Sequence, residues 1–129
     1  MCVRLILVGV ALAMVAHQGA TASAQSVGDE IDFAVPQDRP IFGEGAKAIF
    51  TGRPLGLIAS GTCAAGDRPL QNVVLVDPNR GGGTVTAIVT SRTEPVAAGT
   101  QLEQFVPLGS CLGPDGTTVY DKFRGTVVR

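Results

Sequence analysis

After residue 24 the apolar positions recur with a period of two rather than 3.6, in short runs cut by Gly and Pro, the pattern of an all-β domain. The run "IDFAV" sets Ile31, Phe33 and Val35 on one face and stops at Pro36. "AKAIF" places Ala46, Ala48 and Phe50 together, after which "TGRP" reads as a bend into "LGLIA". "NVVLV" and "TVTAIVT" follow, joined by "DPNRGGG". "QLEQFV" is two-sided: Leu102 shares a face with Gln104 and Val106, and Glu103 with Phe105. "GPDG" marks a turn into "TTVYDKF", where Val119 and Phe123 are too widely spaced for clean alternation, and "TVV" closes the chain.

These runs predict about six to eight short antiparallel strands forming a small barrel or sandwich. The core is expected to draw on Ile31, Phe33, Phe50, Leu57, Val74, Val76, Val85, Ile88, Phe105 and Val119. Strand register, which alternation within single strands leaves open, decides between barrel and sandwich. Segments 45–49 and 97–105 allow a helical turn, although neither is long enough to stand alone as a helix. Residues 25–30 are acidic and poorly patterned and read as a mobile lead-in.

The first 24 residues follow a different pattern. Arg4 and the amino terminus precede an unbroken apolar run from Leu5 to Ala16, and Ala22, Ser23 and Ala24 offer a small-residue cleavage site before Gln25. That run of 12 residues is short of the about 20 that span a bilayer. We therefore expect a cleaved export signal over residues 1–24, no membrane span after cleavage, and a single periplasmic or secreted domain over 25–129. The preference for Arg over Lys and the Ala- and Gly-rich composition fit a bacterial source.

Cleavage changes the chemistry available. It removes Cys2, His17, Met1 and Met14, leaving no histidine and two cysteines, Cys63 and Cys111, which are expected to form a disulfide in an oxidising compartment. Nine basic against eleven acidic residues give no electrostatic reason to bind nucleic acid. Metal sites lose their usual nitrogen and sulfur ligands, and Asp29, Glu30 and Asp32 match no calcium loop. On a strand, Glu30 and Asp32 fall on the solvent face.

"DPNRGGG" resembles a phosphate cradle only superficially. A phosphate loop opens a helix and carries Lys and Ser or Thr; here the glycines run into β-branched residues, so the segment reads as a hairpin bend. A serine triad has no histidine, a cysteine nucleophile has no base, and no acidic pair stands out. We expect no catalytic residue and no cofactor. The expected role is a non-enzymatic exported domain that binds another envelope or secreted protein or supports an envelope assembly. Asn79 and Arg80 at the hairpin tip are the first contact candidates, with Arg53, Arg68 and Arg92 as further ones. The alternatives are an inhibitor of a hydrolase presenting the 79–83 loop, and a carboxylate-based hydrolase.

Overall fold

A computed structural model of the chain describes residues 25–37, 43–58, 60–79 and 81–129. Its six strands are β1 (Glu30–Pro36), β2 (Lys47–Ile58), β3 (Arg68–Asp77), β4 (Gly81–Val89), β5 (Gln101–Leu112) and β6 (Val119–Val127). All neighbours pair antiparallel, and the sheet closes on itself in the order β1-β4-β3-β2-β5-β6. The fold is therefore a barrel, and the described residues include no helix. Segments 45–49 and 97–105, which the sequence allowed as helical turns, belong to strands and their connections.

The barrel interior is filled by side chains from every strand. Ile31, Phe33 and Val35 of β1 meet Ala48 and Phe50 of β2, Val73 and Leu75 of β3, and Val85, Ala87 and Val89 of β4. Leu102 and Val127 complete the ring, and Val96 enters from the β4–β5 connection. Phe33 lies at the centre. Its ring is 6.0 Å from Phe50 and 5.9 Å from Phe105 at steep angles, and 6.2 Å from Phe123. Edge-to-face pairs of this kind add about 0.5–1.5 kcal/mol each beyond the area they bury.

Four residues expected in the core lie outside it. Val74 and Val76 are 37 % and 40 % exposed, and Val73 and Leu75 take their inward places. The run 73–76 is apolar on both faces, so alternation alone gives no facing. The inward row also contains the polar Gln71 and Asp77, which disguise it. Leu57 is 60 % exposed because β2 pairs with β5 only at Ala48 and Ile49, leaving its far end beyond the closed part of the barrel. Val119 is the first residue of β6 and sits at the barrel mouth. "TGRP" is no bend between strands either: β2 continues through it with register shifts between Phe50 and Gly56.

A second bulge settles the facing of β5. Gln104 adopts φ 60°, the left-handed region, and the register against β6 shifts between Glu103 and Val106. The extra residue turns Phe105 onto the same side as Leu102, where it packs on the core.

Ile88 is buried as expected, but on the outside of the barrel. It joins Ala34, Cys63 and Cys111 in a second cluster, against which Ile58, Leu70 and Tyr120 pack. Ala34, Ile88 and Leu70 are cross-strand neighbours on β1, β4 and β3, all facing away from the interior. The β2–β3 loop contributes Cys63 and is bonded to the end of β5. The Thr62 and Cys63 amides both donate to Leu112 O, and the Leu112 amide donates to Thr62 Oγ1 at 2.7 Å. The expected disulfide, Cys63–Cys111, lies here with Cα atoms 5.0 Å apart.

The β5–β6 turn is fixed by Asp115, whose carboxylate accepts from the amides of Thr117 and Thr118 and from the Thr118 hydroxyl. The Thr118 hydroxyl above all, then the two amides, holds this carboxyl below its ordinary 3.8, at about 2. A depressed carboxylate pKa contributes stability that is complete above about 3.8 and is lost as pH falls through about 2. A carboxyl-carbon NMR titration should place the Asp115 midpoint near 2, and Thr118→Val should move it back toward 3.8.

Candidate functional site

Three regions on the outside of the barrel differ in chemistry. On β1 and β6 the outward pairs are Glu30 with Thr126, Asp32 with Arg124, Ala34 with Lys122 and Pro36 with Tyr120. This side is charged. Arg124 meets Asp32 through two bonds, Nε to Oδ1 at 2.7 Å and a second guanidinium nitrogen to Oδ2 at 3.0 Å. The bidentate contact with Asp32 raises the Arg124 pKa further. The row Ala34–Ile88–Leu70 is covered by the disulfide-bearing β2–β3 loop.

The third region is the outer face of β2, β3 and β4. Its cross-strand rows are Lys47–Val76–Gly82 and Ile49–Val74–Thr84, with Asn72 paired to Thr86 beyond them. Thr86 Oγ1 donates to Asn72 Oδ1 at 3.2 Å. These rows hold one charge, Lys47, beside three branched aliphatic side chains, of which Val74 and Val76 are exposed. Gly82 has a structural reason: an added Cβ would stand 1.9 Å from Leu75 O, so the two backbones approach too closely for any side chain.

The β3–β4 hairpin carries this face to its tip. Asp77 pairs with Gly81, Gly81 takes φ 76°, and the glycines enter β4 as an ordinary strand. Pro78 and Asn79 occupy the tip, and Asp77 braces it by accepting the Asn79 amide on Oδ1 at 2.9 Å. Asp77 is itself buried, and its Oδ2 has no partner among the described residues. An added Cβ at Gly45 would stand 3.3 Å from Pro78 Cγ, so the 43–46 segment lies close beneath the tip. Asn79 is exposed as expected. Arg80, its companion in the sequence reading, lies outside the described residues, as do Ala24 and the whole segment 1–24.

The other arginines do not assemble with the tip. Arg53 projects from β2, Arg68 begins β3 and donates to Asp67 O, and Arg92 in the β4–β5 connection pairs with Glu94 at 3.1 Å. Arg92 and Glu94 line a cleft of about 400 Å³ with Gln25, Asp29, Glu30 and Ser91. A second cleft, of about 320 Å³, lies between the 43–46 segment and Glu103, Gln104 and Phe105. Among the described residues no group of three or more His, Cys, Asp or Glu side chains stands close enough to hold a metal ion.

The alternation pattern missed this face because it assigned Val74 and Val76 to the core. No signal in the sequence marks it: a row carrying glutamine and aspartate reads as the outer one, and only the pairing of Gln71 with the Val96 backbone makes it the inner one. Among the described residues no helix is long and apolar enough to cross a membrane. Compared with known proteins, no family model matches the chain, and no curated protein or solved structure matches it.

Proposed function

We propose that this chain is an exported, non-enzymatic β-barrel domain that binds another envelope or secreted protein through the outer face of β2, β3 and β4. The observation that carries this reading is the contrast between the three outer regions. One is charged, one is covered by the chain's own loop, and the third leaves Ile49, Val74 and Val76 together with a single charge. Interface cores are depleted in charge and rich in apolar side chains, with polar residues at the rim. Here Lys47, Thr84, Thr86 and Asn72 form such a rim. The disulfide supports the exported location, because such bridges persist in oxidising compartments. In this reading residues 1–24 are the export signal.

The inhibitor reading uses the same end of the barrel, with the braced tip at Pro78 and Asn79 entering a partner's cleft. Photo-cross-linking separates the two. A probe at position 74 should capture the same envelope protein in intact cells as a probe at 76, whereas one at Lys122 on the charged side should capture nothing. Val74→Arg, at an exposed position, should leave thermal stability within about 0.5 kcal/mol and weaken capture at least tenfold. Capture that survives Val74→Arg but is lost on Asn79→Ala would support the inhibitor instead. Turnover of a glycan or peptide by the purified domain, abolished by one Asp or Glu change, would replace both by the hydrolase reading.

A further inference from the structure

Cleavage after Ala24 makes Gln25 the amino-terminal residue, and an amino-terminal glutamine carries its own nucleophile and electrophile. Its α-amine can attack Cδ of the side-chain amide. The new N–Cδ bond closes a five-membered lactam, the Cδ–Nε2 bond breaks, and a proton passing through solvent from the attacking nitrogen lets Nε2 leave as ammonia. No oxidant or second substrate is needed. During the attack, negative charge develops on Oε1.

In the structure that oxygen is held. Gln25 Oε1 accepts from the Ala97 amide and from Thr100 Oγ1, each at 3.3 Å. Both donors come from the β4–β5 connection, more than 70 residues along the chain, so only the folded domain brings them to Gln25. Their segment is fixed from three sides. The Phe50 amide donates to Thr100 O and the Gly99 amide to Phe50 O, both at 2.9 Å, and the Thr100 amide donates to Ala97 O. The neighbouring Val96 is clamped by Gln71. Two donors on a braced loop, converging on a carbonyl oxygen where charge will develop, form the arrangement that stabilises tetrahedral intermediates of acyl transfer.

Resting on the reading that the export signal is cut after Ala24, we propose that the folded domain promotes cyclisation of its own amino-terminal Gln25 to pyroglutamate, with Ala97 N–H and Thr100 Oγ1 as the oxyanion donors. The product keeps Oε1 as the lactam oxygen, so both hydrogen bonds have an acceptor after the reaction. The positive terminal amine, which would lie beside the cleft lined by Asp29, Glu30 and Glu94, is removed. The exported chain then begins with a blocked residue that aminopeptidases cannot attack.

The test follows intact mass. Protein exported under its own leader should have the mass of residues 25–129 with the disulfide formed, less one ammonia. A chain that starts anywhere else overturns the leader reading and the proposal with it; a chain that starts at uncyclised Gln25 leaves the leader reading standing and overturns the proposal alone. For the role of the fold, the full-length chain with a specific protease site in place of residues 22–24 is folded and then cut to expose Gln25. Loss of ammonia should run about fivefold or more faster than in a peptide of residues 25–34, and Thr100→Val should remove most of that gain. Equal rates in the folded chain and the peptide overturn the proposal without reference to any variant, and so does a Thr100→Val chain that folds, retains its disulfide and cyclises at the parent rate.

Discussion

Gln71→Leu is expected to destabilise the barrel by about 3 kcal/mol, although leucine fits the volume and suits the apolar surroundings. Gln71 is fully buried on the inward row of β3. Its Nε2 donates to Val96 O at 3.0 Å, and its Oε1 accepts the Val96 amide at 2.9 Å. The side-chain amide thus acts as one peptide unit of an absent strand, satisfying both polar groups of a residue that is itself fully buried. Leucine would leave a buried amide and a buried carbonyl unpaired at about 1–3 kcal/mol for each group, offset in part by the easier burial of the apolar side chain. Gln71→Glu removes the donor and adds a buried charge, so it should be worse than leucine; Gln71→Asn is too short to reach both groups and should fall between. Urea unfolding of the three variants with the disulfide intact checks the order. Native-state hydrogen exchange gives a sharper reading: in Gln71→Leu the Val96 amide should exchange far faster relative to global unfolding, because its protection rests on this one acceptor. Unchanged Val96 protection would mean that the β4–β5 connection is held by other contacts.

The parts of the fold legible in the sequence are those where polarity and burial agree. In β1, Glu30 and Asp32 alternate with Ile31 and Phe33, so the facing is unambiguous, and the disulfide follows from two cysteines remaining after residue 24. β3 misleads because its inner row includes Pro69, Gln71 and Asp77 while its outer row offers Val74 and Val76. Position 104 misleads differently: glutamine gives no hint of positive φ, yet the bulge there decides that Phe105 faces inward. The outer cluster is invisible to strand periodicity, since Ala34 and Ile88 become buried only when the β2–β3 loop crosses them. The same error that misplaced β3 hid the candidate binding face. By alternation its apolar residues belong to a core they do not enter, while glycine and proline make the turn at the hairpin tip conspicuous. The tip and the face are continuous through β3 and β4, so the sequence pointed to one end of a surface whose middle it concealed.

Loss of the Cys63–Cys111 bridge should be the largest single effect, about 4 kcal/mol, a large share of the about 5–15 kcal/mol net stability of a folded domain. The two cysteines are 48 positions apart, and a cross-link over that separation removes much of the freedom of the unfolded chain. The folded side adds a local contribution. Both cysteines are buried in the outer cluster, and the bridge holds the β2–β3 loop over Ala34 and Ile88. Without it, the loop is retained by the bonds of Thr62 and Cys63 to Leu112, which face solvent at the end of β5. Three unfolding curves test this: the oxidised parent, Cys111→Ala, and Cys63→Ala with Cys111→Ala. The two variants should lie close together and well below the parent, because either removes the same cross-link and the second substitution has nothing further to break. Intact mass before and after reduction should differ by two hydrogens in the parent and by none in the double variant. The barrel core is independent of the bridge, so the variants should still fold, with Phe33 and its three ring neighbours in place. Limited proteolysis should then cut first within residues 60–67, uncovering Ile88. A double variant within about 1 kcal/mol of the parent would show that the unfolded chain is compact enough to gain little from the cross-link, and the entropic account would fail.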